Sequence, residues 1–206
     1  MKKKFKVIGV LLSAVLLIVS LIGCGGKNEN ESSIDSIKKR GTIKIGVFSD
    51  KPPFGYVDSN GENQGYDVEI AKEIAKDLFG DETKVEFVLV EAASRVEFLQ
   101  ANKVDIILAN FTVTNERKEK VDFANPYMKV ALGVVSKDGA VITDVNELKG
   151  KKLIVNKGTT ADAYFSKNYP DMEFELFECF WELLFHFRNV HWCTNTCNNV
   201  FALCVC

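Results

Sequence analysis

The sequence predicts an α/β fold built on a mostly parallel sheet. Strand-like and helix-like stretches alternate from Thr42 to about Lys167, the pattern of strands joined by helical crossovers. Between the first two strand-like runs lies Asp67–Phe79, where Ile70, Ala71, Ile74, Ala75 and Leu78 recur at helical spacing. The short apolar run Val104–Ala109 (VDIILA) has the composition of a strand buried in a parallel sheet. Right-handed crossovers follow from that arrangement.

Ahead of the fold stands a leader. Lys2, Lys3, Lys4 and Lys6 precede an uncharged run from Val7 to Gly23, the layout of a secretory signal peptide. A run of that length is at the low edge of what crosses a bilayer, so a retained anchor is the alternative. Leu21-Ile22-Gly23-Cys24 resembles the lipobox of bacterial lipoproteins. That resemblance implies export, lipidation at Cys24 and an extracytoplasmic chain held on the membrane by its lipid. Two acyl chains anchor stably where one is marginal. Residues 24–33, rich in Gly, Asn, Glu and Ser, read as a flexible tether.

The remaining elements are read in order. Ile34–Arg40 is a short helix with Ser33 as N-cap and Gly41 past its end. Thr42–Phe48 is a strand ending in the loop Ser49–Tyr56, and Asp58–Gly61 is a turn. The helix Asp67–Phe79 pairs Glu69 with Lys72 and Glu73 with Lys76 on its wet face. Lys84–Val90 is a strand, Arg95–Ala101 one or two helical turns, and Val104–Ala109 a strand. Thr114 caps a helix through Asn115–Val121. Val130–Ser136 is a strand, Asp144-Val-Asn-Glu147 a capping box, Lys152–Asn156 a strand, and Gly158-Thr159-Thr160 opens a helix to about Lys167.

With the leader removed, the loss of four lysines moves the formal charge from -2 to -6. A mildly acidic chain without a basic stripe argues against nucleic acid as a partner. No nucleophile–base constellation is present, and both His residues lie in the last twenty-odd residues. The sequence therefore names no catalytic residue and no cofactor.

Ligands of open α/β sheets sit beyond the carboxyl ends of the strands. The loops there are Ser49–Tyr56, Glu91–Arg95, Asn110–Arg117 and Lys157–Thr160. In Asn110–Arg117 the backbone N–H groups, the Thr112 hydroxyl and the Arg117 guanidinium can converge on one carboxylate. Thr159 and Thr160 repeat the device at a second helix start. The plainer alternatives are that Thr114 is only an N-cap and that Arg117 is a solvated partner of Glu116 or Glu119.

Gly65-Tyr-Asp-Val-Glu-Ile70 with Ile74, Ala75 and Leu78, then Val104–Arg117 and Val121-Asp-Phe-Ala-Asn-Pro-Tyr127, resemble the signatures of bacterial extracellular solute-binding proteins that serve ABC importers of polar amino acids. The resemblance covers about Thr42 to Tyr169 and is nearest to cysteine-binding lipoproteins. It implies a two-lobed, type II periplasmic-binding fold, a polar amino acid as ligand (cysteine first, then aspartate, glutamate or glutamine), and an ABC permease as partner. Arg117 would clamp the α-carboxylate with Thr112 and the Thr160 N–H, next to Thr159. The carbonyl or side chain of Asn110 would meet the α-ammonium, and Phe54 would line the side-chain pocket. Arg95 would face the ligand side chain, unless it is a surface residue paired with Glu91. Lys51 stands where several relatives carry a stacking aromatic, and Tyr66 is read as core. Residues 34–132 then form lobe one, Lys129–Ser136 the first crossing, and 133–175 part of lobe two.

The pattern ends after about Asp171. Residues 176–206 hold five of the six Cys, both Trp and both His, and no Lys or Gly. This break predicts an out-of-frame tail, an incomplete second lobe with exposed sheet edge, and weak binding or none, the mark of a non-functional truncated product. His186, His191, Cys193 and Cys197 lack the paired spacing of a zinc site, so no metal is predicted. The alternatives to a binding module are an enzyme on the same scaffold, with Glu91 its one candidate acid, and a sensory domain.

Overall fold

The computed structural model describes residues 33–135, 142–178 and 200–205. Cys24 and His186, His191, Cys193 and Cys197 lie outside the described residues. In chain order the elements are helix α1 (Ser33–Arg40), strands β1 (Ile43–Val47), β2 (Asp50–Lys51), β3 (Gly55–Val57) and β4 (Asn63–Gln64), and helix α2 (Tyr66–Phe79). Strand β5 (Val85–Leu89), helix α3 (Arg95–Gln100), strand β6 (Ile106–Ile107) and the single-turn helix α4 (Asn115–Lys118) follow. Strand β7 (Leu132–Val135), a 3-10 turn (Val145–Leu148), strand β8 (Lys152–Asn156), helix α5 (Thr160–Asn168) and strands β9 (Phe174–Phe177) and β10 (Val200–Val205) complete the order. The chain divides between Lys39 and Arg40. Of the first part only Ser33–Lys39, most of α1, is described. Among the described residues no helix is long and apolar enough to cross a membrane.

From Arg40 onward the fold is α/β, as predicted. Strand β1 lies between β5 and β6, parallel to both, in register Ile45↔Phe87 and Ile45↔Ile106. Ile43, Ile45 and Val47 are all buried, as a central parallel strand requires. Helix α2 packs on β1 and β5 and buries Val68, Ala71 and Ala75 completely. It stops at Gly80, whose φ of 73° is a left-handed C-cap and whose N–H donates to Lys76 O at 2.7 Å.

The second sheet has the order β7-β10-β8-β9. Strands β8, β9 and β10 run parallel, and β7 is antiparallel to β10. Its core is Leu148, Leu153, Val155, Ala161 and Phe165. The capping box predicted at Asp144 is present. Asp144 Oδ1 accepts from Asn146 N and Glu147 Oε1 from Asp144 N, although the element it starts is a 3-10 turn rather than an α-helix.

Several boundaries differ from the sequence reading. Ser33 is the first residue of α1 rather than its cap. The loop expected at Ser49–Tyr56 contains β2 and β3, which with β4 form a small antiparallel sheet. Asp58 closes its turn by accepting from Asn60 N and Glu62 N. The strand expected over Val104–Ala109 keeps only two ladder residues, and the helix expected through Val121 is one turn. Strands β9 and β10 fall where no element was expected, and β10 pairs with both β8 and β7. Tyr66, read as core, is 47% exposed because it begins α2 at the surface.

Candidate functional site

Four loops leave the carboxyl ends of β1, β5, β6 and β8 on the same side. Together they line a shallow, solvent-open pocket formed by Lys51, Arg95, Asn110, Thr112, Arg117, Thr159 and Thr160. Seven of the eight side chains predicted from the sequence therefore meet in one place. Phe54 does not line the pocket. Its residue is 6% exposed, its N–H donates to Lys51 O, and its carbonyl accepts from Asp67 N. The turn between β2 and β3 folds it into the core.

Arg95 lines the pocket and is not the surface residue of the alternative reading. It is 3% exposed. Its Nε donates to Ala92 O at 2.9 Å, Nη1 to Ala109 O at 2.9 Å and to Asn110 O at 3.2 Å, and Nη2 to Gly158 O at 3.2 Å. One guanidinium thus ties the loops after β5, β6 and β8 together. Burial, and next the Arg117 charge, lowers its pKa to about 9.

Arg117 sits beside it. Its Nη1 donates to Thr112 O at 2.8 Å and its Nη2 to Gly158 O at 3.0 Å. Neither Glu116 nor Glu119 holds the guanidinium, so the solvated-pair alternative fails on geometry. Burial holds its pKa below the usual value against the pull of Glu116. Thr114 remains a cap, with its Oγ1 accepting from Arg117 N at 3.2 Å. Both guanidinium carbons stand 4.6 Å from the Phe111 ring centroid. Lys51, 7% exposed, places Nζ 4.9 Å from the Phe48 ring. Aromatic faces give these cations favourable, partly dry seats.

Thr159 is the N-cap of α5. Its hydroxyl accepts from Asp162 N at 3.2 Å and donates to Asn156 O at 2.7 Å. Thr160 opens the helix, so its N–H is among the first-turn donors with no acceptor inside the helix. Asn110 has φ 43°, a left-handed conformation that Asn tolerates. Its N–H donates to Asp67 Oδ2 at 3.0 Å, and its Nδ2 is buried without a partner. The lining thus holds three cations, an unmatched amide donor and no carboxylate. Such a lining favours an anionic group. Among the described residues no cluster of His, Cys, Asp or Glu could hold a metal.

Residues 43–183 match the family of bacterial extracellular solute-binding proteins, family 3. The chain belongs to that family. The match runs past Tyr169, so the family pattern continues through β9. This solute-binding chain is 36% identical over 188 residues to the ABC transporter glutamine-binding protein GlnH of Bacillus subtilis, covering 85% of this chain and 68% of the relative. In structure it resembles a cysteine-binding protein from Campylobacter jejuni at 55% identity and TM-score 0.78, covering 84% of this chain and 67% of the other. It also resembles the solute receptor for L-cysteine of Neisseria gonorrhoeae at 54% identity and TM-score 0.78, covering 84% and 68%. The chain spans about two thirds of the length of these relatives.

Sequence reasoning gave no role to the Asp67 carboxylate, the Phe111 ring or the Gly158 carbonyl, although Phe111 and Gly158 lie in the loops it named. A signal for Asp67 was present. It falls on the same helical stripe as Ala71, Ile74 and Leu78, and an acid on an apolar face needs a partner.

Proposed function

We propose that this chain captures an L-amino acid in the pocket between the four loops and delivers it to an ABC importer, held outside the membrane by a lipid on Cys24. The observation that carries the reading is the seating of Arg117 between Thr112 and Gly158, beside the start of α5. A ligand carboxylate placed there meets Arg117, the Thr112 hydroxyl and the Thr160 N–H. Asn110 is at hand for the α-ammonium, and Thr159 and Lys51 close the wall. Cysteine is the favoured ligand, supported by the identity to two cysteine-binding structures. Aspartate or glutamate is the second reading, supported by a lining with three cations and no carboxylate. Glutamine follows from the relative in Bacillus subtilis.

Screening the twenty amino acids by thermal shift on residues 25–206 tests the reading. A ligand at a hundred times its Kd stabilises the native state by about 2.7 kcal/mol. A single large shift, largest for cysteine, is expected. No shift with any amino acid would remove the proposal. Replacing Cys24 by Ala should release the chain from the membrane fraction, and unchanged fractionation would remove the anchor.

A further inference from the structure

Gly150 and Gly158 share one backbone conformation, with φ 72° at each. Their surroundings differ. A Cβ on Gly150 would meet nothing within 4 Å, whereas one on Gly158 would stand 2.4 Å from Ala93 Cα and 2.7 Å from Ala93 N. That is backbone against backbone, which no side-chain rotamer can relieve. The loop after β8 is therefore pressed onto the loop after β5, joining the second sheet to the first. The carbonyl of the same glycine accepts from Arg95 at 3.2 Å and from Arg117 at 3.0 Å. Two cations, Arg95 buried and Arg117 half-buried, both belonging to first-sheet loops, share this one neutral oxygen of the second. The Gly158 N–H in turn donates to Asp162 Oδ2 at 2.8 Å, which fixes the loop to α5.

We propose that Gly158 is a positioning residue of this site: its bare Cα lets the β8 loop dock on Ala92–Ala93, and its carbonyl then holds Arg95 and Arg117 in place before any ligand arrives. The binding part of this inference rests on the amino-acid reading above, and the docking part does not. Fixed guanidiniums lose less freedom on meeting a carboxylate than mobile ones would, so docking raises affinity through preorganisation.

Gly158→Ala and Gly150→Ala in the full chain separate docking from backbone strain, because both carry the same left-handed penalty. The first readout needs no ligand. Hydrogen exchange in the segment 90–98, remote in sequence from both substitutions, should quicken in Gly158→Ala and match wild type in Gly150→Ala. The second is titration with L-cysteine, L-glutamate and L-glutamine, where Gly158→Ala should bind about tenfold or more weakly and Gly150→Ala should bind as wild type. Asp162→Ala removes the acceptor of the Gly158 N–H and should show the same pattern at smaller size. It serves if Gly158→Ala does not fold. Wild-type exchange in 90–98 for the position-158 and position-162 variants overturns the docking, whatever the ligand result. Faster exchange with undiminished affinity overturns the positioning role. If wild type binds none of the three amino acids, the amino-acid reading fails and the exchange measurement alone decides the docking.

Discussion

The Tyr127 hydroxyl donates to Asp67 Oδ1 at 2.8 Å, while Asp67 Oδ2 accepts the Asn110 N–H at 3.0 Å. Asp67 is fully buried. Burial raises its pKa, and the bonds from Tyr127 and Asn110 oppose that rise. Burial, and then the Asp67 charge, raises the pKa of Tyr127. One carboxylate thus fixes both the pocket loop after β6 and the segment that leads to β7.

Tyr127→Phe should therefore show a pH-dependent cost. The folded pKa of Asp67 lies above its unfolded value near 3.8. Its contribution to stability is favourable below that value and is lost as pH rises through the folded pKa. Above its folded pKa the buried carboxylate is charged and needs both donors, so removing the hydroxyl should cost about 1–2 kcal/mol. As pH falls through that pKa the carboxyl takes up a proton and the cost should shrink. Urea unfolding across a pH series measures it, and a loss independent of pH would contradict the assignment.

The two arginines should respond differently to conservative replacement. Arg117→Lys keeps the charge but cannot bridge Thr112 O, Gly158 O and a carboxylate. Affinity should fall about 10- to 100-fold, with little change in Tm. Arg95→Lys leaves several carbonyls without their donor in a dry site, so it should cost about 2–3 kcal/mol of stability. Titration and thermal unfolding of both variants decide the matter. Equal effects on binding and Tm in the two proteins would refute the division.

Thr159→Ala removes the N-cap of α5 and should destabilise by about 1 kcal/mol, whereas Thr159→Ser should stay within a few tenths. If Ser behaves like Ala in a denaturation experiment, the hydroxyl is not the capping group.

Phe165→Ala empties the centre of the second-sheet core, where the ring packs among Leu148, Leu153 and Val155. The expected cost is about 3–5 kcal/mol. A loss under 1 kcal/mol would mean that this core contributes little to the folded chain.

Much of the fold was legible because the relevant signals are local. The stripe Ile70, Ala71, Ile74, Ala75 and Leu78 defined α2, Asp144 with Glu147 marked a capping box, and the apolar run Val104–Ala109 marked a strand of a parallel sheet. The hairpin of β2 and β3 was not legible, since its strands are two and three residues long and are held by cross-strand pairing rather than by propensity. Strand β10 was hidden for a similar reason, because its partners β7 and β8 lie far away in sequence.

For the site, the sequence by itself determined which loops line the pocket and which residue types they carry. Residues at the carboxyl ends of parallel strands must gather on one side, and seven of eight candidates did. Only the tertiary structure decided what those residues do to one another. That Arg95 lines the pocket while donating to four carbonyls, whether Phe54 lines the pocket or the core, and how closely Gly158 approaches Ala93 depend on distances between loops far apart in the chain. Those distances are set by burial and by the need to satisfy every polar group removed from water.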